Sequence, residues 1–195
     1  MHAWTFLTNF GDSAVTLPLA VAVLALFALS GSLSLLRGWL LVVALCGFSV
    51  ALLKIGFSDC AAAGPLGRPF SPSGHTAMST LVYGGLALLA SAGRPPGVRL
   101  VALIPALALA LAIGVSRIVV HAHSPSEVVA GFAIGGGALL LLHRATARAT
   151  LRGSPLALIA VALVVALAMH GTRWPIEQQL QRLAALLHHD VPLCG

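Results

Sequence analysis

Apolar residues run along this chain in long blocks rather than in the short alternations of a half-buried strand. Six such blocks, rich in Leu, Ala and Val, cover residues 13–35, 39–57, 75–92, 98–116, 126–142 and 155–170. Crossing the hydrocarbon core of a bilayer takes about 20 mostly apolar residues in a helix, so the pattern predicts six transmembrane helices. The fold class expected is all-α: a polytopic bundle forming a single membrane domain over residues 1–195. The breaks between blocks read SGSLSLLRG, GFSDCAAAGPLGRPFSPSG, SAGRPPGVR, RIVVHAHSP and HRATARATLRGS, which combine turn chemistry with charge. After the last block the period changes. In TRWPIEQQLQRLAALLHHD, residues Ile176, Leu180, Leu183, Ala184 and Leu187 follow helical spacing. A short amphipathic helix is expected over 174–190, lying along the membrane surface with Trp174 as an interface anchor; covering the substrate is the other role open to it.

Composition supports lipid as the main solvent. The chain is 58% hydrophobic and 8% charged, with a mean hydropathy of +0.99, whereas a soluble domain is about 25% charged. The net charge of +6 does not indicate nucleic acid, because the arginines are scattered between apolar runs and form no basic stripe. No positively charged segment precedes the first apolar run, so that run is expected to stay in the membrane rather than be cleaved.

Charge also orients the bundle. With six spans, the first, third and fifth connections share one face and carry Arg37, Arg94, Arg99, Arg144, Arg148 and Arg152 without an acid. The opposite face carries the termini, the other two connections and all five acids: Asp12, Asp59, Glu127, Glu177 and Asp190. Lys54, Arg68, Arg117, Arg173 and Arg182 also fall there, a margin of six to five. Three of those five belong to a polar cluster and have another reason to be present. Positive-inside counting therefore puts the arginine-only face in the cytoplasm, and the termini and polar cluster outside. The expected location is the bacterial inner membrane, with the cluster facing the periplasm. Cys60 and Cys194 would share that outer face, as a disulfide or as two free thiols, while Cys46 lies inside the second span.

The polar cluster has two parts. In RPFSPSGHTAMST, residues 68–80, Ser71-Pro72 reads as an N-cap followed by proline at the first helical position. Ser73, Gly74 and His75 would then occupy the first turn of the third span, where unpaired N–H groups and the helix dipole favour an anion. Gly74 permits close approach to the backbone, Ser73 adds a hydroxyl, and His75 can exchange a proton near neutral pH. The second part, SRIVVHAHSPSEVVAG at 116–131, again opens a span with Ser-Pro. Two spans separate the two mouths, so both face the same side, and His75, His123 and Arg117 can converge there. Arg117 ends an apolar span with nothing local to neutralise it, which marks it as functional.

Glu127 has two readings of equal weight: the acid of a capping box with Ser124, or the carboxylate that holds the ring of His123 four residues before it. His121 is expected to turn elsewhere. Gly131 and Gly135 form a small-xxx-small face suited to close helix packing, Pro105 is expected to kink the fourth span, and His143, His170, His188 and His189 receive no role.

Pro72–His75 as PSGH, followed by Ser116-Arg117, five residues, His123, three residues and an acid, resembles the type-2 phosphatidic acid phosphatase superfamily. The resemblance covers residues 54–142 and extends to a six-span plan. It implies that His75 is the general acid and that His123 is the nucleophile, forming a phosphohistidine that water hydrolyses. Arg117, Arg68, Ser73, Gly74 and Lys54 would hold the phosphoryl oxygens, with no metal and no cofactor. Such chemistry is mostly positioning and stabilisation of charge on oxygen.

Two departures stand out. Glu127 occupies the place of the family's usual Asp. The first motif, normally Lys, six residues and Arg-Pro, here has thirteen residues between Lys54 and Arg68. Both residues are expected to converge on the site even so, the alternative for Lys54 being a snorkelling interfacial lysine. The partners expected are membrane lipids and a phosphorylated lipid substrate: a polyprenyl diphosphate such as undecaprenyl diphosphate, phosphatidylglycerophosphate, phosphatidate or a lipid A phosphate. A non-catalytic membrane binder of phosphorylated lipids, with a degraded site, is the second hypothesis. The oligomeric state is left open.

Overall fold

The structure, a computed structural model, describes residues 2–57, 70–147 and 149–188. These form eight helices, α1 (His2–Asn9), α2 (Ser13–Leu29), α3 (Leu33–Gly56), α4 (Gly74–Ala90), α5 (Pro96–Val119), α6 (Pro125–Ala145), α7 (Pro155–Met169) and α8 (Ile176–His188), and no strand occurs among the described residues. The all-α bundle expected from the apolar pattern is present. Among the described residues, four stretches are long and apolar enough to cross a membrane: His2–Leu29, Leu33–Gly56, Pro96–Val119 and Pro125–Ala145. Their outer faces are apolar, with Leu29, Leu100, Val101 and Val129 all well exposed. In a bundle without a charged coat, such a surface belongs against lipid.

Six helices lie at the six expected positions, but three of them, α2 (17 residues, continuing the stretch begun by α1), α4 and α7, are shorter than a typical span. α7 has 15 residues and α4 has 17, about 22 and 26 Å at 1.5 Å per residue. α4 can be both short and polar because it is the central helix. Its Thr76, Ser79 and Thr80 are buried among neighbouring helices, along with Leu81, Val82 and Leu89. Glycines let those neighbours approach. A Cβ on Gly131 of α6 would lie 2.6 Å from the Ser73 carbonyl oxygen, and one on Gly135 would run into the Ala77 carbonyl. The predicted small-residue face thus seats α6 on α4.

The first connection differs from expectation. It falls at Ser30–Ser32 instead of 36–38, so α3 starts at Leu33 and Arg37 and Gly38 lie inside the helix. Gly31 turns the chain with φ +67, a conformation that costs glycine little. Gly38 is a packing glycine, where a Cβ would sit 3.3 Å from Thr146 Cγ2. Trp39, fully buried, donates its indole N–H to the Ala20 carbonyl at 3.0 Å and ties α3 to α2. α1 was not anticipated at all.

The ends of the bundle differ chemically, as the arginine pattern predicts. At one end Arg99 meets His143 at 3.1 Å and the Arg152 N–H donates to Ser32 Oγ at 3.2 Å, joining the first, third and fifth connections. At the other end lie the two histidine motifs.

Candidate active site

The loop before α4 is built by bonds to distant residues. The Ser71 N–H donates to Glu127 Oε1 at 2.8 Å, and the Ser73 N–H to the Glu127 carbonyl at 3.0 Å. Ser71 Oγ accepts from Lys54 Nζ at 2.8 Å. With Ser71 engaged on both sides, the helix cap passes to Ser73, whose extended backbone lets Oγ accept the Thr76 N–H and hydroxyl. The expected cap at Ser71, with Pro72 in the first turn, is therefore corrected by two residues. α4 starts at Gly74, and Gly74 and His75 hold the N–H groups of its opening turn, which lie outside the intrahelical ladder. A Cβ on Gly74 would lie 3.5 Å from Val50 and 3.9 Å from Lys54 Cε, filling the space beside the lysine.

The second motif folds by a reversal after α5. The Arg117 carbonyl accepts the N–H groups of Ala122 and His123 at 2.9 and 3.1 Å. His121 takes a left-handed backbone with φ 56, which histidine tolerates better than most residues, and its side chain points to the exposed surface. This sends His121 outward, as expected, and His123 inward. Ser124 then caps α6 in a capping box with Glu127. Glu127 Oε2 takes the Ser124 N–H at 2.7 Å and stands 3.3 Å from His123 Nδ1. The two readings of Glu127 hold together, because one carboxylate at the third helical position reaches both groups. Glu127 is almost fully buried, and it also joins the second motif to the first through Ser71.

His123 is buried and close to two cations. Burial first, then the charges of Lys54 and Arg117, push its ring down to about 4 against the opposing pull of Glu127. These surroundings favour the neutral ring. An ionised Glu127 can only accept, so it favours the tautomer with the proton on Nδ1 and the lone pair on Nε2.

Lys54 lies in the site, where the alternative of an interfacial lysine would have put it in solvent. It is buried, and besides Ser71 it meets Glu177 of α8 at 2.6 and 2.8 Å. Burial alone would raise the Glu177 carboxyl, but the Lys54 charge and hydrogen bond outweigh it and hold Glu177 below the usual carboxylate range. α8 thus packs on α3 over the site, in addition to presenting an amphipathic face. Arg117 Nη1 donates to Thr8 Oγ1 of α1 at 3.1 Å. His75 Nε2 faces Asp12 Oδ2 at 3.6 Å. Asp12, His75, Arg117, Arg173 and Glu177 line a cavity of about 720 Å³. A second cavity, of about 220 Å³, continues from Lys54, Gly74 and His75 along Leu17, Val50 and Met78.

The two motifs are therefore brought together as predicted: His75, Ser73, Gly74, Lys54, Arg117, His123 and Glu127 share one end of the bundle. Arg68 lies outside the described residues, as do Cys60, Cys194 and most of the enlarged first-motif loop. Asp12, Glu177 and Thr8 were not singled out from the sequence. Asp12 did leave a signal, as a lone acid following glycine directly before an apolar run.

Residues 35–151 match the family described as the PAP2 superfamily. The chain belongs to the PAP2 superfamily. Its members are generally phosphatases acting on phosphorylated substrates; Lys54, Ser73, Gly74, His75, Arg117, His123 and Glu127 fall within the matched stretch, whereas Thr8, Asp12 and Glu177 lie outside it. A Klebsiella pneumoniae protein described as an uncharacterized 22.5 kDa protein in the cps region is 36% identical over 142 residues, 71% of this chain and 68% of that protein. No solved structure matches the chain.

Proposed function

We propose that this PAP2 protein is a membrane-embedded, metal-independent lipid phosphatase that works through a phosphohistidine on His123. The observation that carries this is the His123–Glu127 arrangement: a buried imidazole whose Nδ1 stands 3.3 Å from a carboxylate, in surroundings that favour the neutral ring and so a lone pair on Nε2. Binding an anion needs neither, whereas a nucleophile needs both.

His123 Nε2 attacks phosphorus, and the bond from phosphorus to the leaving oxygen breaks. The imidazolium of His75 gives that oxygen its proton. Glu127 balances the positive charge that develops on the His123 ring. Neutral His75 then takes a proton from water as the water oxygen attacks phosphorus. The P–N bond breaks, releasing inorganic phosphate and restoring both rings. Lys54, Arg117 and the first-turn N–H groups of α4 hold the phosphoryl oxygens, and the substrate phosphate takes Lys54 over from Glu177. Arg68 is proposed to join them.

The apolar body of the substrate stays in the bilayer while its headgroup enters the polar end of the bundle. Candidates are undecaprenyl diphosphate, phosphatidylglycerophosphate, phosphatidate and lipid A phosphates. The arginine distribution supports a site on the periplasmic side of a bacterial inner membrane. The test is phosphate release by purified protein in detergent, with chelator present, across those four lipids. Release from at least one, abolished in His75→Ala and His123→Ala, is expected. No release by folded protein from any of them would favour a non-catalytic binder of phosphorylated lipids.

A further inference from the structure

Asp12 has no place in the two motifs and lies outside the stretch that matches the family, yet its carboxylate points into the site. Oδ1 caps α2 by accepting the Ala14 N–H at 2.9 Å. Oδ2 faces His75 Nε2 at 3.6 Å, an ion-pair distance that a bound substrate can shorten, and the backbone N–H of Trp174 also supports the carboxylate. The approach is built by the preceding residue. A Cβ on Gly11 would lie 2.6 Å from Ile113 Cγ2, 3.0 Å from Ser79 Oγ and 3.3 Å from His75 Cβ, so only glycine lets the chain pass this close to α4 and α5. Tyr83 holds the same segment from α4, donating its hydroxyl to the Phe10 carbonyl at 2.7 Å.

The other charges around His75 make a carboxylate necessary. Burial first, then Arg117 of α5 and Lys54 of α3, disfavour an imidazolium at His75, against the pull of Asp12. Glu177 of α8 also lies within reach of the ring but is paired to Lys54. The acid of α6, Glu127, is engaged with His123, Ser71 and Ser124. A general acid must hold a proton before it can deliver one, and among these groups Asp12 is the carboxylate that faces Nε2 directly.

Resting on the phosphatase reading above, we propose that Asp12 is the positioning residue of His75: it fixes the ring through Nε2–H and favours its protonated form, so that the Nδ1 proton goes to the leaving oxygen. After transfer the ring is neutral and retains Nε2–H toward Asp12, and the charge lost from His75 is the proton gained by the departing alkoxide or phosphate. Asp12 itself does not change protonation state.

The leaving group separates this role from a structural one. Asp12→Asn keeps an oxygen able to cap α2 but removes the charge. Turnover of an alkyl lipid phosphate, which needs a proton on its leaving oxygen, should fall about ten- to a hundredfold further than turnover of p-nitrophenyl phosphate, which does not. The alkaline limb of the alkyl-phosphate pH profile should move to lower pH. Equal losses on both substrates, or no loss on either, would overturn the proposal. Titration of His75, followed by NMR in histidine-labelled wild type and Asp12→Asn, reads the pair without turnover. A midpoint lower by about one unit in the variant is expected, and an unchanged midpoint sinks the pair. Wild type inert on both substrates while that midpoint shifts would place the failure in the phosphatase reading and not in the Asp12–His75 contact.

Discussion

Glu127 Oε2 stands 3.3 Å from His123 Nδ1. The same carboxylate accepts the N–H groups of Ser124 and Ser71, so it orients the nucleophile, caps α6 and fastens the loop before α4 at once. These duties separate by substitution. Glu127→Gln keeps a side chain suited to a capping box but not the charge that supports the reacting ring. It should fold with near-normal stability and lose about 10²–10⁴ in turnover. Glu127→Ala should in addition lose about 1–3 kcal/mol for each buried N–H left without its acceptor. Thermal unfolding beside activity assays checks both, and a Gln variant with full turnover would show that Glu127 is only a cap.

The seating of α6 on α4 fixes the distance between the motifs. Gly131→Ala places a methyl 2.6 Å from a backbone oxygen that cannot swing away. A loss of about 1–3 kcal/mol is expected, seen as a fall of about 2–4 °C in melting temperature per kcal/mol for a chain of this size. Gly136→Ala is the control, because a Cβ there meets nothing within 4 Å. Equal melting temperatures for the two variants would contradict the packing described.

The pH dependence of the nucleophile has a definite sign. His123 attacks in its unprotonated form, and burial with Lys54 and Arg117 pushes its ring down to about 4. Phosphoenzyme formation from p-nitrophenyl phosphate, whose leaving oxygen needs no proton from His75, corrected for the second ionisation of phosphate near pH ~6, should hold level from about pH 7 through about pH 5. It should fall only as the pH approaches about 4. Half-loss near the ordinary histidine value of about 6.5, in quench-flow measurements, would mean that the ring is not held neutral by its surroundings.

Glu177 and a substrate phosphate compete for Lys54. Glu177→Gln removes the resident anion, so vanadate should bind several-fold more tightly, and Lys54→Met should weaken it. The Glu177 carboxyl is depressed in the folded state, so its ion pair is present above the ordinary carboxylate range and is lost as the pH falls through the lowered value. Isothermal titration with vanadate decides this, and unchanged affinity in Glu177→Gln would show that α8 does not contest the site.

Most of the fold and much of the site could be read from the sequence because the relevant signals are local. Apolar blocks placed the helices, and Ser-Pro pairs marked both mouths. Gly131 and Gly135 announced a close crossing by their spacing. The cap at Ser71 was misplaced because what moves it to Ser73 is long-range: Glu127 lies 56 positions away and Lys54 17 away. Asp12 and Glu177 were missed for the same reason. Each is an unremarkable acid beside its own helix and gains meaning only through a partner from another part of the chain, Glu177 across 123 positions.

The most direct test of the account is to trap the intermediate. Wild-type protein would be mixed with a ³²P-labelled lipid phosphate in the presence of chelator, quenched in alkali and mapped by proteolysis and mass spectrometry. The account predicts an acid-labile, alkali-stable phosphoryl group on His123, accumulating in His75→Ala with p-nitrophenyl phosphate and absent from His123→Ala. Turnover by wild type with no phosphoryl group on His123, or turnover that survives in His123→Ala, would contradict it.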